Sequence, residues 1–166
     1  MAADNASGEP FRLLFVCTGN TCRSPLAEAI ARRSLAALGW AHVRVASAGV
    51  GAGIGYPASD GALRAAERHG LDLSSHRSTP LTPDLVAGTN LVLVMAPAHL
   101  VRVTELGAGE QTALLTAFAG AEDPEGVPDS VYDPFGGSDE EYEATYQLLD
   151  ILVERTLRRL APIVAP

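Results

Sequence analysis

Short apolar runs alternate with helical patterns along most of the chain. Residues 11–16 (FRLLFV) read as a buried strand, followed by a loop and an alanine-rich helix over 25–38. Ser24 before Pro25 supplies an N-cap residue and a proline at the first helical position. Residues 42–46 (HVRVA) alternate like a strand, and a second helix over 59–69 closes at Gly70. A short helix is expected over 82–87, a buried strand over 90–95 (NLVLVM), a helix over 97–106 and a weaker strand over 112–118 (TALLTAF). The last helix has the fullest punctuation. Ser138 and Glu141 form a capping box, with Asp139 and Glu140 at the positive end of the dipole. Leu148, Leu149, Leu152, Val153, Leu157 and Leu160 continue at helical spacing, with Arg155, Arg158 and Arg159 near the negative end.

Strands alternating with helices of this length imply right-handed crossovers and an α/β fold: a doubly wound parallel sheet covered on both faces. Such sheets place their sites at the carboxyl ends of strands. Residues 1–10 are small and polar, with neither a basic start nor an apolar stretch, and read as a loose tail rather than a signal peptide. No linker, repeat or low-complexity block divides residues 11–166, so they are expected to form a single domain.

Composition narrows the chemistry. The chain has 166 residues, enough to bury a substantial core, and is 47% hydrophobic, too much for a disordered chain. No apolar run reaches the roughly 20 residues of a membrane helix. A net charge of −8 argues against a nucleic-acid partner, which needs a basic face. All 12 bases are arginine, which excludes a Schiff-base lysine and the lysine of a nucleotide-binding loop. Cys17 and Cys22 are too few for a disulfide scaffold and fit no common zinc spacing. A reducing, cytoplasmic setting is expected.

The first strand runs straight into Cys17-Thr18-Gly19-Asn20-Thr21-Cys22-Arg23-Ser24-Pro25 and then into a helix. Cys17 therefore stands at the sheet rim, facing a helix amino end whose unpaired N–H groups favour an anion. Arg23, six residues on, can fold back and set its planar fork beside the sulfur. Both effects favour a thiolate. The amides of the intervening loop can point inward at a tetrahedral oxyanion, and Gly19 and Asn20 tolerate the left-handed backbone such a nest demands. A thiolate beneath a ring of amides and an arginine fork can receive a phosphoryl group.

At this point the sequence resembles the low-molecular-weight protein phosphatases, whose signature V/I-C-x-G-N-x-C-R-S-P is matched throughout by residues 16–25. The resemblance extends to Ser47-Ala48-Gly49, the 90–95 strand and the Asp133-Pro134-Phe135 turn. It implies a four-stranded parallel sheet flanked by helices and a cysteinyl-phosphate intermediate on Cys17. It further implies phosphate binding by Arg23 and the loop of Thr18, Gly19, Asn20, Thr21 and Cys22. Ser24 would donate a hydrogen bond to the thiolate, Asn20 would hold the loop in shape, and a distant aspartate would act as acid. The implied partners are phosphorylated proteins or peptides, and no metal or cofactor is required.

The acid can also be sought by chemistry, because a phenolate or guanidine leaving group must be protonated as it departs. The longest loop, residues 120–138, holds Glu122, Asp123, Glu125, Asp129 and Asp133, and only Asp133 is fixed by a following proline. The same carboxylate would then activate water. The family suggests a reversible Cys17–Cys22 disulfide that protects the nucleophile; a small apolar filler is the other reading of Cys22. His76 falls where the family often has a histidine bracing the Asn20 side chain. His42, His69 and His99 share no ligand spacing and read as bystanders.

Three departures from the commonest tyrosine-specific pattern bear on substrate. Thr21 stands where a bulky aliphatic residue is usual, Phe135-Gly136-Gly137 where an aromatic pair walls the slot, and Gly53 near the place of another wall aromatic. Thr21 and Asp133 would instead suit a planar cationic guanidinium. The combination looks like the protein-arginine phosphatase branch, and the reading leans to phosphoarginine over phosphotyrosine. Tyr132, Phe135, Tyr142 and Tyr146 are candidates for the approach, the last two equally explained as helix packing. The arsenate reductases need a further cysteine, and the chain has none after Cys22. A phosphate-binding module or redox sensor would not need both Cys17 and Asp133.

Overall fold

The structure, a computed structural model, describes residues 8–166. Of the tail expected over 1–10, residues 1–7 lie outside the described residues. The elements in chain order are β1 (Phe11–Cys17), α1 (Arg23–Leu38), β2 (Val43–Gly49), α2 (Asp60–Arg68), α3 (Pro83–Ala87), β3 (Leu91–Val94), α4 (Pro97–Glu105), β4 (Thr112–Leu114), α5 (Leu115–Ala119) and α6 (Asp139–Val164).

The four strands form one parallel sheet in the order β2-β1-β3-β4. Pleating sends Leu13, Phe15 and Cys17 of β1 to one face, where they join Leu26 and Ile30 of α1 and Leu149 and Leu152 of α6. Leu14 and Val16 go to the other face, with Val92, Val94, Val86 and Val103. Both faces are covered, which is why β1 and β3 are nearly all apolar. Successive crossovers leave β1 toward β2 on one side and β3 on the other. The loops after β1 and β3 therefore part, and a crevice opens at their carboxyl ends.

Two expectations need correction. Residues 112–118 are not one strand: pairing stops at Leu114 and α5 begins. Leu115, Thr116 and Ala119 are the buried residues of that segment, a helical rather than alternating spacing, and it decides the conformation. Helix α1 begins at Arg23 with Cys22 as its N-cap, so Ser24 and Pro25 already lie inside its first turn. Ser24 does not cap. Its hydroxyl is used elsewhere. The capping box of α6 is as expected, Ser138 Oγ accepting from the Glu141 amide at 3.2 Å and Glu141 Oε2 from the Ser138 amide at 3.0 Å.

Candidate active site

The loop between β1 and α1 is held by its carbonyls. Cys17 O accepts from the Val50 amide at 3.0 Å, Thr18 O from Gly51 at 2.9 Å and Thr21 O from Ser59 at 2.9 Å. His76 Nε2 donates to Asn20 O at 2.7 Å. In a trans peptide the N–H points opposite to the carbonyl, so the amides of Thr18, Gly19, Thr21 and Cys22 are turned to the inner side of the loop. Gly49 makes this packing possible, since a Cβ there would lie 2.4 Å from Thr18 O. Asn20, at φ 55°, is the one non-glycine residue with a left-handed backbone among the described residues. Gly19 does not use its left-handed freedom, contrary to expectation.

Beneath the loop the polar side chains form a chain of fixed direction. The Thr79 amide donates to Asn20 Oδ1 at 2.9 Å, which orients the Asn20 amide. Its Nδ2 then donates both to Ser24 Oγ at 2.8 Å and to Ser47 Oγ at 2.9 Å. Ser24 Oγ lies 3.0 Å from Cys17 Sγ and 3.5 Å from the Ala48 carbonyl, and because a thiolate can only accept, an ionised Cys17 takes the Ser24 proton. Ser47 likewise donates to Glu28 Oε1 at 2.6 Å, and Arg32 pairs with Glu28 Oε2 at 2.6 Å. The arrangement supplies a hydrogen bond to a sulfur anion.

Arg23 is buried and bridges the loop after β1 and the loop of Val131 and Asp133. Its Nη1 donates to Val131 O at 3.0 Å, while Nη2 lies 3.5 Å from Thr18 Oγ1 and 3.6 Å from Asp133 Oδ2. Its Nε is buried with no partner, a donor available to an anion over the loop. Asp133 is half exposed at 49% and held by its own turn, Oδ1 accepting from the Phe135 amide at 3.1 Å. The loop is anchored upstream, the Val131 amide on Met95 O at 2.9 Å and Thr116 of α5 on Asp129 O at 3.2 Å.

These groups converge on a cavity of about 280 Å³, whose lining includes Cys17, Thr21, Arg23, Tyr56, Asp133 and Phe135. Glu122, Asp123, Glu125 and Asp129 do not line it. A larger cavity of about 500 Å³ between α1 and β2 holds Arg32, Trp40 and Arg44 but no nucleophile, so size does not locate the chemistry. Among the described residues no group of three His, Cys, Asp or Glu side chains is placed to hold a metal ion. No helix among them is long and apolar enough to cross a membrane.

The family model described as low molecular weight phosphotyrosine protein phosphatase matches residues 12–164. The chain belongs to that family. It is 35% identical to the protein-arginine-phosphatase of Geobacillus stearothermophilus over 91% of this chain and 97% of that protein. It is 48% identical to the probable low molecular weight protein-tyrosine-phosphatase EpsP of Ralstonia nicotianae over 52% of this chain, a match spanning 57% of EpsP. A structure of a YwlE arginine phosphatase mutant with a phosphorylated active site serine superposes with TM-score 0.84 at 33% identity, covering 92% of this chain and 97% of that one.

Within this low-molecular-weight phosphatase site, several residues differ from expectation. His76 braces the Asn20 backbone carbonyl rather than its side chain. His99, read as a bystander, is buried behind the loop: Nδ1 accepts from the Ala96 amide at 3.1 Å and Nε2 meets Thr18 Oγ1 at 2.8 Å. Burial first, and then the nearby Arg23 cation, push its pKa from 6.5 down to about 4, against the opposing pull of Asp133. Its place three residues after Ala96, the N-cap of α4, was the available signal, but only the fold brings it to residue 18. His42 binds Val164 O and His69 stacks on Tyr146 at 3.8 Å, both outside the cavity lining.

The wall at Gly53 is not open. Tyr56 folds over Gly53 so closely that a Cβ there would lie 2.4 Å from the ring, and Tyr56 lines the cavity together with Phe135. One aromatic wall is thus supplied from three residues farther along. Tyr132 is exposed but outside the lining, and Tyr142 and Tyr146 are buried packing residues. Cys17 and Cys22 are both free thiols. The Cys22 sulfur lies 3.1 Å from Ser59 Oγ and 3.4 Å from the Tyr142 hydroxyl, whose pKa is pushed up to about 12, chiefly by burial and then by Cys22.

Proposed function

We propose that the chain is a protein phosphatase of a single domain over residues 11–166, acting on phosphoarginine side chains through a cysteinyl-phosphate. The Cys17 thiolate attacks phosphorus in line with the leaving nitrogen. The P–N bond breaks, and the guanidine nitrogen takes the proton of Asp133 as it leaves. Arg23 and the inward amides of residues 18–23 hold the three equatorial oxygens, whose charge is greatest in the transition state. Asp133, now a carboxylate, takes a proton from water as its oxygen attacks phosphorus. The S–P bond breaks, and phosphate and thiolate are released. A free thiolate works in a reducing compartment, which supports a cytoplasmic setting.

The observation that carries the substrate reading is the placement of Thr21 and Asp133 on one cavity lining. A guanidinium keeps N–H donors after phosphorylation, and a hydroxyl and the unprotonated oxygen of the Asp133 carboxyl group can accept them. An aliphatic residue at 21 accepts nothing. The likeness to the G. stearothermophilus protein-arginine-phosphatase over nearly the whole chain supports the same reading.

Phosphotyrosine is the second reading, favoured by Tyr56 and Phe135, between which a phenyl ring can stack. The deciding experiment is kcat/KM on matched phosphoarginine and phosphotyrosine peptides for the wild type and Thr21→Ile. The phosphoarginine reading expects a wild-type preference for phosphoarginine that falls by about tenfold in Thr21→Ile. A preference for phosphotyrosine, unmoved by the substitution, would overturn it.

A further inference from the structure

Three polar groups near the loop lie outside the proposed chemistry: the half-buried Glu28, the buried Cys22–Tyr142 pair, and the buried His99. The observations go furthest for His99. It sits on α4, is 3% exposed, and belongs to neither the nucleophile loop nor the acid loop. The Ala96 N–H donates to its Nδ1, so the neutral ring carries its proton on Nε2 and donates it to Thr18 Oγ1 at 2.8 Å. Thr18 Oγ1 also lies within reach of Arg23 Nη2 at 3.5 Å. Both acceptor positions of the hydroxyl are then taken, and the oxygen is fixed between the two donors.

We propose that His99 is a positioning residue for oxyanion capture: it pins the Thr18 hydroxyl and, through it, the Arg23 guanidinium, whose Nε is buried and unpartnered. It acts from the first turn of α4, four residues after Met95, whose carbonyl anchors Val131, so the segment that anchors the acid loop also sets the arginine fork. The inference rests on the phosphatase reading for its effect on turnover, though not for its effect on anion binding. Arg23 is otherwise held at its Nη1 by Val131 O and loosely at Nη2 by Asp133. Without the His99–Thr18 pair the fork loses one of its three fixed points.

The test uses inorganic phosphate as probe and the full chain with His99→Leu, His99→Gln, Thr18→Val and the double His99→Leu/Thr18→Val. Phosphate affinity is read by calorimetry, and kcat and KM are read on the phosphoarginine and phosphotyrosine peptides. The expected result is a loss of about tenfold in phosphate affinity for His99→Leu and for Thr18→Val, and no further loss in the double variant, because one unit has been broken. His99→Gln, which keeps a donor and an acceptor, recovers most of it. Thr18 is exposed, so Thr18→Val keeps the core intact and reports even where His99→Leu fails to fold. Unchanged phosphate affinity in Thr18→Val, or losses that multiply in the double variant, would overturn the inference. A wild type that binds phosphate but turns over neither peptide would instead overturn the phosphatase reading.

Discussion

The Ser24 hydroxyl lies 3.0 Å from the Cys17 sulfur, placed to donate to a thiolate, which can only accept, while its oxygen accepts from Asn20 Nδ2 at 2.8 Å. A hydrogen bond to a charged group contributes about 1.5–3 kcal/mol. Ser24→Ala should therefore lower kcat/KM by roughly 10- to 100-fold, mostly in kcat. Iodoacetamide alkylation of Cys17 at neutral pH should slow in parallel. Alkylation at the wild-type rate would show that the bond does not stabilise the anion.

The same chain runs outward through Ser47 to Glu28. Glu28→Ala strands the Ser47 proton and should cost about 1–3 kcal/mol of stability by urea unfolding, with several-fold lower kcat/KM. Glu28→Gln keeps an acceptor and should stay within about twofold. Equal losses in the two variants would mean that the carboxylate charge, rather than its acceptor role, matters.

Asp133 is placed to protonate the leaving group, so Asp133→Asn should reduce kcat by about 10²- to 10⁴-fold on a phosphoarginine or phosphotyrosine peptide. The loss should be much smaller for formation of the phosphoenzyme from an aryl phosphate whose phenol is acidic, because that group leaves without help. A uniform loss across leaving groups would point to binding.

Tyr56 makes a wall that Gly53 leaves room for. Tyr56→Ala should raise KM for the phosphotyrosine peptide about two- to tenfold, the size of one aromatic contact. Gly53→Ala should displace the ring and do the same. KM unchanged in both would remove Tyr56 from the slot.

His99 also links pH to stability. Its pKa falls to about 4 from 6.5, so the unfolded chain takes up a proton in this range while the folded chain does not. The contribution is fully present above pH 6.5 and declines as pH falls toward 4, by at most about 3 kcal/mol. Urea unfolding between pH 7 and 4.5 should show a flatter pH dependence for His99→Gln than for the wild type.

Much of this site was legible in the chain because its parts are local. Cys17, Arg23 and Ser24 are brought together by one strand, one loop and one helix, and Asp133 was marked by the proline after it. The sheet was readable from apolar runs separated by helical spacing. The parts that were not legible depend on distance in sequence. His99 reaches Thr18 only because β3 lies beside β1, and Tyr56 fills the wall through a turn whose course the glycines around it do not dictate. The strand over 112–118 failed for another reason: its apolar residues suit both periods, and burial against α6 selects the helix.

The central claim is that Cys17 carries the phosphoryl group between substrate and water. The most direct measurement is to mix the Asp133→Asn protein with an aryl phosphate whose phenol is acidic, which leaves without the Asp133 proton, then quench, digest and locate any added phosphoryl group by mass spectrometry. Loss of the carboxylate that activates water should leave the group on Cys17, and Cys17→Ser should release no phosphate in turnover. An aryl phosphate that is cleaved with no group on Cys17, or a Cys17→Ser protein that keeps turning over, would contradict the account.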